Sequence, residues 1–221
     1  MHPPGPALFL ALILTTTPMA SLSAQADDIV FSDISGDPDN PRRHLRVENP
    51  ADLTPEDAEA IYTALLPGML AGYRLNETAA ASDFPDWPRY NTAPYRSATH
   101  GQRFVNNYAN TTALAYGLFE EAGVFPVGSI LAKDSFTVTS DGIVQPGPLF
   151  LMEKMLSGFS YVTGDWRYIM IMPDGSLFGE TRGDHDERVY YCIGCHLAAS
   201  VQGYDHIFFV PEAFRPEPSN P

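Results

Sequence analysis

Positive charge is what this sequence lacks most. Thirteen of its 221 residues are Lys or Arg against 27 Asp or Glu, and the formal net charge is −14. Lysine occurs only at 133 and 154. A chain this acidic has no cluster of cations to displace counterions from a phosphate backbone, which excludes nucleic acid as the expected partner. The charge instead serves solubility or docking to a basic partner. Cysteine is nearly absent. The two present, Cys192 and Cys195, are separated by two residues. A disulfide between them would close a tiny loop and stabilise the fold little, so the pair reads as chemical. Long apolar runs are missing as well. The run Ala7 to Leu14 is too short to cross a bilayer as a helix, and no later stretch does better, so no membrane span is expected. No internal repeat is visible.

Residues 1–26 contain no Lys, Arg, Asp or Glu. Their apolar run is followed by small and polar residues, and Ala24-Gln25-Ala26 offers a small-x-small cleavage site before Asp27-Asp28. The segment reads as a secretory signal peptide, although its start carries only His2 in place of Lys or Arg. The mature chain is therefore expected to be soluble and periplasmic.

Residues 27–50, rich in Asp, Pro and Arg, read as an irregular arm. Thr54-Pro55-Glu56-Asp57 opens a helix: Thr caps, Pro takes the first position, and acids occupy the positive end of the dipole. Ala58, Ile61, Leu65 and Met69 follow at helical spacing, and Pro67-Gly68 is expected to kink or interrupt the helix. Residues 82–101, with Trp87, Tyr90 and Tyr95, read as an ordered covering loop. Arg103–Tyr108 has strand character. Asn110 can cap a helix over Thr111–Glu121 with Leu114, Tyr116 and Leu118 apolar, ended by Gly123. Over Ser129–Thr139, Ile130, Ala132, Phe136 and Val138 share one face of a strand. Leu149–Leu156 fits a strand or a short helix. Trp166–Met172 is a strand apolar on both faces, hence central or interfacial. Pro173-Asp174-Gly175 is a hairpin turn, and Asp205–Val210 reads as a last short strand.

The chemistry sits at Cys192-Ile193-Gly194-Cys195-His196. Cys-x-x-Cys-His is an attachment sequence for c-type haem: each thiol adds to one porphyrin vinyl group, and the adjacent His is held under the iron. Two alternatives share these residues. A redox dithiol would sit in a thioredoxin-like βαβ unit, and nothing upstream resembles one. A zinc site would need His185 or His206 as a further ligand, at a spacing no common zinc motif uses. The motif lies late in the chain, and no Met follows residue 172. That excludes the small helical electron carriers that take a downstream Met. The strands at 103–108, 129–139, 166–172 and 205–210 do not suit a helical-bundle cytochrome.

The order of these parts resembles the cytochrome P-460 family, which includes the c-prime-beta cytochromes. The resemblance spans about residues 98–215. It rests on a strand, a capped helix ended by Gly, then Gly128-Ser129-Ile130-Leu131-Ala132-Lys133. A Gly164-Asp165-Trp166-Arg167-Tyr168 strand with its Pro-Asp-Gly turn comes next, followed by the late haem motif and Asp205-x-x-Phe208. It implies an α+β fold, an antiparallel β-sheet with flanking helices. The expected division is a signal peptide at 1–26, an N-terminal arm, helix and covering loop at 27–97, a haem domain at 98–215 and a loose tail at 216–221. It further implies one covalent haem c attached through Cys192 and Cys195, His196 as the iron's axial ligand, an open distal site and a homodimer. In family members that oxidise hydroxylamine a Lys is joined to the macrocycle, and Lys133 matches it. Those enzymes also use a distal carboxylate. Its position falls near Ser157-Gly158-Phe159, which holds no acid, and Glu153 is close in sequence but not at the matching place. Phe159 is then the candidate cap of an apolar distal pocket, as in members that bind nitric oxide.

Three functions follow: a haem oxidoreductase acting on hydroxylamine or nitric oxide and passing electrons to a partner cytochrome, a non-catalytic nitric oxide binder, or a six-coordinate electron carrier with a Met or Lys133 on the iron. Alternation alone also allows Lys133 to be solvated. Met152, Met155, Met170 and Met172 read as core filling. His100 reads as a surface-loop residue, with a haem propionate or the distal side as the other option. Asp184-His185-Asp186-Glu187 reads as a solvated charge run, and Tyr190 and Tyr191 are expected to pack at the haem edge or in the core.

Overall fold

A computed structural model describes Met1 and residues 46–217. The expected signal peptide, all but the end of the 27–50 arm, and residues 218–221 of the tail lie outside the described residues. Among the described residues no helix is long and apolar enough to cross a membrane.

Seven antiparallel strands form one sheet. They are β1 Tyr95–Ser97, β2 Arg103–Ala109, β3 Ile130–Val138, β4 Val144–Pro146, β5 Leu149–Lys154, β6 Trp166–Ile171 and β7 Leu177–Glu180. The order is β1-β2-β3-β5-β6-β7, with β4 paired to the outer end of β3. With helices α1 Pro55–Tyr73, α2 Ala79–Asp83 and α3 Tyr190–Val201, this is the expected α+β architecture. Strand β1 and helix α1 make residues 46–97 part of the same packed unit as the rest of the sheet.

The period of two divides the sheet into two faces. On one, Ala132, Phe136, Leu149, Leu151, Ile169 and Ile171 pack against Tyr62, Met69 and Tyr73 of α1 and against Phe84. On the other, Val105, Leu131, Trp166 and Tyr168 meet Tyr116, Phe125, Ile207 and Val210. Both faces of β6 are buried, as its sequence requires.

Helix α1 begins as expected: the Asp57 amide donates to Thr54 Oγ1 at 3.1 Å, and the Thr54 hydroxyl donates to Asp57 Oδ2 at 2.9 Å. It does not end at Pro67. Pro67 and Thr63, whose carbonyl loses its partner there, are both exposed, so water can serve the freed group. Met69 and Tyr73, fully buried beyond it, hold the last turns on the sheet, and the Tyr73 hydroxyl donates to the Gly147 carbonyl at 2.6 Å.

Residues 111–121 form a 3-10 segment, not an α-helix, with non-helical dihedrals at Ala113 and Phe119. Tyr116 points inward while Leu114 and Leu118 are exposed. Asn110 caps it, accepting from the Ala113 amide at 3.1 Å, and ties it to β3 through the Ile130 amide at 3.0 Å. Residues 205–210 are not a strand. Asp205 and His206 have φ of 46° and 64°, the left-handed region that breaks any extended ladder.

Candidate functional site

Helix α3 carries the Cys-x-x-Cys-His residues. A 3-10 turn, Asp186–Val189, leads into it and places acids before its positive end. Spacings of three and four bring Cys192, Cys195, His196 and the buried Ala199 to one side of the helix. Both thiols are free, Cys192 half-buried and Cys195 exposed. With His196 they form one wall of a pocket that opens to solvent.

The floor of that pocket is the sheet face turned away from α1. The register aligns Asn107, Lys133, Phe150 and Met170 in one row across four strands. Ala109, Leu131, Met152 and Tyr168 make the next. Asn107, Lys133, Phe150, Leu131, Met152 and Tyr168 all line the pocket. The Thr99–Gly101 loop and Ile207-Phe208 complete it.

His196 Nδ1 lies 2.7 Å from the His206 carbonyl. A carbonyl only accepts, so Nδ1 carries the proton and Nε2 is left as a bare lone pair. The ring packs 5.1 Å from the Tyr168 ring and 5.3 Å from that of Phe208. Burial, helped by nearby Lys133, pushes the imidazole down to about 4, so it is neutral at physiological pH. That is the state in which imidazole binds a metal. Burial pushes the Cys192 thiol up to about 12. A redox dithiol needs the opposite shift, toward thiolate at neutral pH.

Lys133 lines the pocket beside Phe150 and Asn107 and is half-buried there. Burial draws its ammonium down to about 8. His100 is likewise in the pocket and not on an outer loop. Its Nδ1 pairs with Ser97 Oγ at 2.9 Å, and its ring meets Phe150 edge-on at 5.0 Å. Burial lowers its pKa well below the ordinary value, with Lys133 and His196 adding to the effect.

Phe159 is not a pocket residue. It lies in the turn after β5, its carbonyl accepting from Arg182 and its ring 5.6 Å from that guanidinium. Phe150, one strand-length earlier, supplies the aromatic wall that Phe159 was expected to give. Glu153 faces away from the pocket, paired with Arg167. Among the described residues that line the pocket there is no carboxylate. Of the four methionines only Met152 lines it; Met170 and Met172 fill a small core with Val189, and the Met170 sulfur accepts from the Tyr191 hydroxyl at 3.3 Å. Tyr190 is exposed. His185 and its acidic neighbours form a largely exposed turn, and no group of three or more His, Cys, Asp or Glu placed to hold a bare metal ion occurs among the described residues.

Two features had no signal in the sequence. The Tyr168 hydroxyl is buried at the pocket without a hydrogen-bond partner, and the His206 carbonyl holds the axial-ligand candidate through backbone alone. Neither family models nor curated proteins gave a match to this chain.

Proposed function

We propose that this chain is an exported, periplasmic c-type cytochrome holding one haem through Cys192 and Cys195, with His196 as axial ligand and an open site for a small nitrogen compound. The observation that carries the reading is His196 itself, a neutral imidazole on the same helix face as both thiols, with Nδ1–H committed to a carbonyl and Nε2 free at a pocket wall. The pocket suits a porphyrin in character: Leu131, Phe150, Met152 and Tyr168 give its floor a largely apolar surface, and the buried Tyr168 hydroxyl lacks a partner. When bound, the haem would supply a redox-active iron able to take a small ligand.

The remaining chemistry belongs to the side chains. Phe150, Leu131 and Met152 present apolar surface that suits an uncharged diatomic. Lys133, which lines the pocket, is the side chain that matches the cross-linking Lys of the hydroxylamine-oxidising members. The pocket lacks, among the described residues, the carboxylate that hydroxylamine-oxidising members use, which favours nitric oxide capture.

The test is the mass and reduced optical spectrum of the exported protein. A mass increased by one haem and a high-spin spectrum with an unshifted Soret band are expected for the gas binder. A strongly red-shifted Soret band, lost in Lys133→Ala, would show the cross-link and favour oxidation. A sharp low-spin spectrum would show an electron carrier, and colourless protein of unmodified mass would refute the haem reading.

A further inference from the structure

We propose that the Lys154–Asp205 ion pair, acting through the backbone of His206, aims the axial imidazole of His196 and strengthens it as a donor, which makes Lys154 and Asp205 positioning residues for the haem iron. The inference rests on the haem reading above.

The pair joins the end of β5 to the loop after α3. Lys154 Nζ donates to Asp205 Oδ1 at 2.8 Å and Oδ2 at 3.0 Å, and to the Gly164 carbonyl at 2.8 Å. The side chains are only 10% and 8% exposed. Oδ2 also accepts from the Phe125 amide at 2.8 Å, and the Asp205 backbone carbonyl accepts from Trp166 Nε1 at 2.8 Å. Asp205 is thus fixed at both its side chain and its backbone by three separate elements.

What this fixation holds is a costly local conformation. Asp205 and His206 are consecutive non-glycine residues with positive φ, a state that persists only where the surroundings over-determine it. Its product is the direction of one group: the His206 carbonyl meets His196 Nδ1 at 2.7 Å. Gly164, whose carbonyl receives Lys154, lies so close to the His206 ring that a Cβ there would sit 2.6 Å from it, so the same knot also seats the His206 side chain. A buried ion pair is a poor device for stability alone, since apolar replacements of equal volume often do as well. Here it anchors a strained backbone whose carbonyl is the hydrogen-bond acceptor that sets an imidazole's tautomer and basicity.

A firm Nδ1–H···O=C bond increases electron donation from Nε2 and favours the oxidised iron. Loosening it should therefore raise the reduction potential and weaken the iron–imidazole bond. The experiment compares haem-loaded protein with Lys154→Met and Lys154→Arg by redox titration and by resonance Raman spectroscopy of the ferrous state, with circular dichroism to follow the fold. For Lys154→Met the expected result is a higher potential and an iron–imidazole stretching band at lower frequency, with haem retained; Lys154→Arg restores both toward the unmodified protein. If Lys154→Met does not fold, Asp205→Asn carries the test. It keeps an oxygen for the Phe125 amide and the carbonyl that Trp166 holds, and shifts both readouts in the same direction. Haem attached in every variant with an unmoved potential and band overturns this inference alone. Absence of haem from the unmodified protein overturns the haem reading with it.

Discussion

The two faces of the sheet use the same alternating strands for opposite ends. On the α1 face a central cluster of buried polar groups closes on itself. The Tyr62 and Tyr108 hydroxyls lie 2.5 Å apart, Tyr62 donates to Asp134 Oδ2 at 2.7 Å, and Asn106 donates to Asp134 Oδ1 at 3.1 Å. On the pocket face the Tyr168 hydroxyl is buried without a partner, and Lys133 and His100 share a cavity with no lining carboxylate among the described residues. A cluster that satisfies its own polar groups is built to stay shut. One that leaves them unmet is built to receive something.

Removing the thiols breaks this contrast most directly. Cys192→Ser with Cys195→Ser should abolish covalent haem entirely, read as loss of colour and of the added mass, while far-UV circular dichroism stays near that of the unmodified chain because the α1 face is untouched. Loss of the sheet signal would instead show that the pocket face, too, is needed for folding.

Neighbouring residues on β5 offer a second comparison. Leu151 is 2% exposed against α1, and Met152 lines the pocket. Leu151→Ala should cost about 2–5 kcal/mol in denaturant unfolding through the cavity it leaves. Met152→Ala in the haem-free Cys192→Ser/Cys195→Ser background should cost about 1 kcal/mol, since it enlarges a space already open. Equal costs would erase the distinction between the faces.

How far the sequence disclosed this division depends on the range of the interactions involved. Alternation over 130–138 and 166–172 identified both sheet faces because the period of two is local, and the Thr54 cap and the Pro173-Asp174-Gly175 turn were legible for the same reason. Cys192, Cys195 and His196, the residues proposed to hold a haem, were legible as a motif because they are close neighbours in sequence, and they share one side of α3. Pro67 misled, because whether a proline breaks a helix depends on what lies beyond it, and Met69 and Tyr73 are buried by strands distant in sequence. Residues 205–210 misled because their apolar pattern hid two left-handed residues held by Lys154, 51 positions away. Loop geometry, which no periodicity encodes, puts His100 in the pocket and leaves Phe159 out of it.

Asp134 gives the third prediction. Burial raises its carboxyl to about 6 despite three hydrogen-bond contributions that lower it. The folded chain then binds more protons than the unfolded one between about pH 4 and 6, so stability falls as pH rises through that window, by about 3 kcal/mol at roughly 1.4 kcal/mol per pH unit. Asp134→Asn, which keeps a neutral acceptor for Tyr62, should flatten that slope in unfolding measured against pH. An unchanged slope would place the titration elsewhere.

Lys133 should show the reverse sign and a smaller size, and this is the finest test of the two faces. Burial depresses its ammonium from the ordinary 10.5 to about 8, so between those values the unfolded chain binds more protons, and stability rises as pH climbs through the window. Below about pH 8 the fold holds the cation in the pocket at a cost. Because the pocket opens to water, that cost is screened to about 1 kcal/mol, unlike the sealed site of Asp134. In the haem-free background, Lys133→Met should therefore gain about that much stability at pH 7 and lose the rise between pH 8 and 10. A gain as large as the Asp134 effect would mean that the pocket is closed to solvent, and no gain would mean that the ammonium already reaches water.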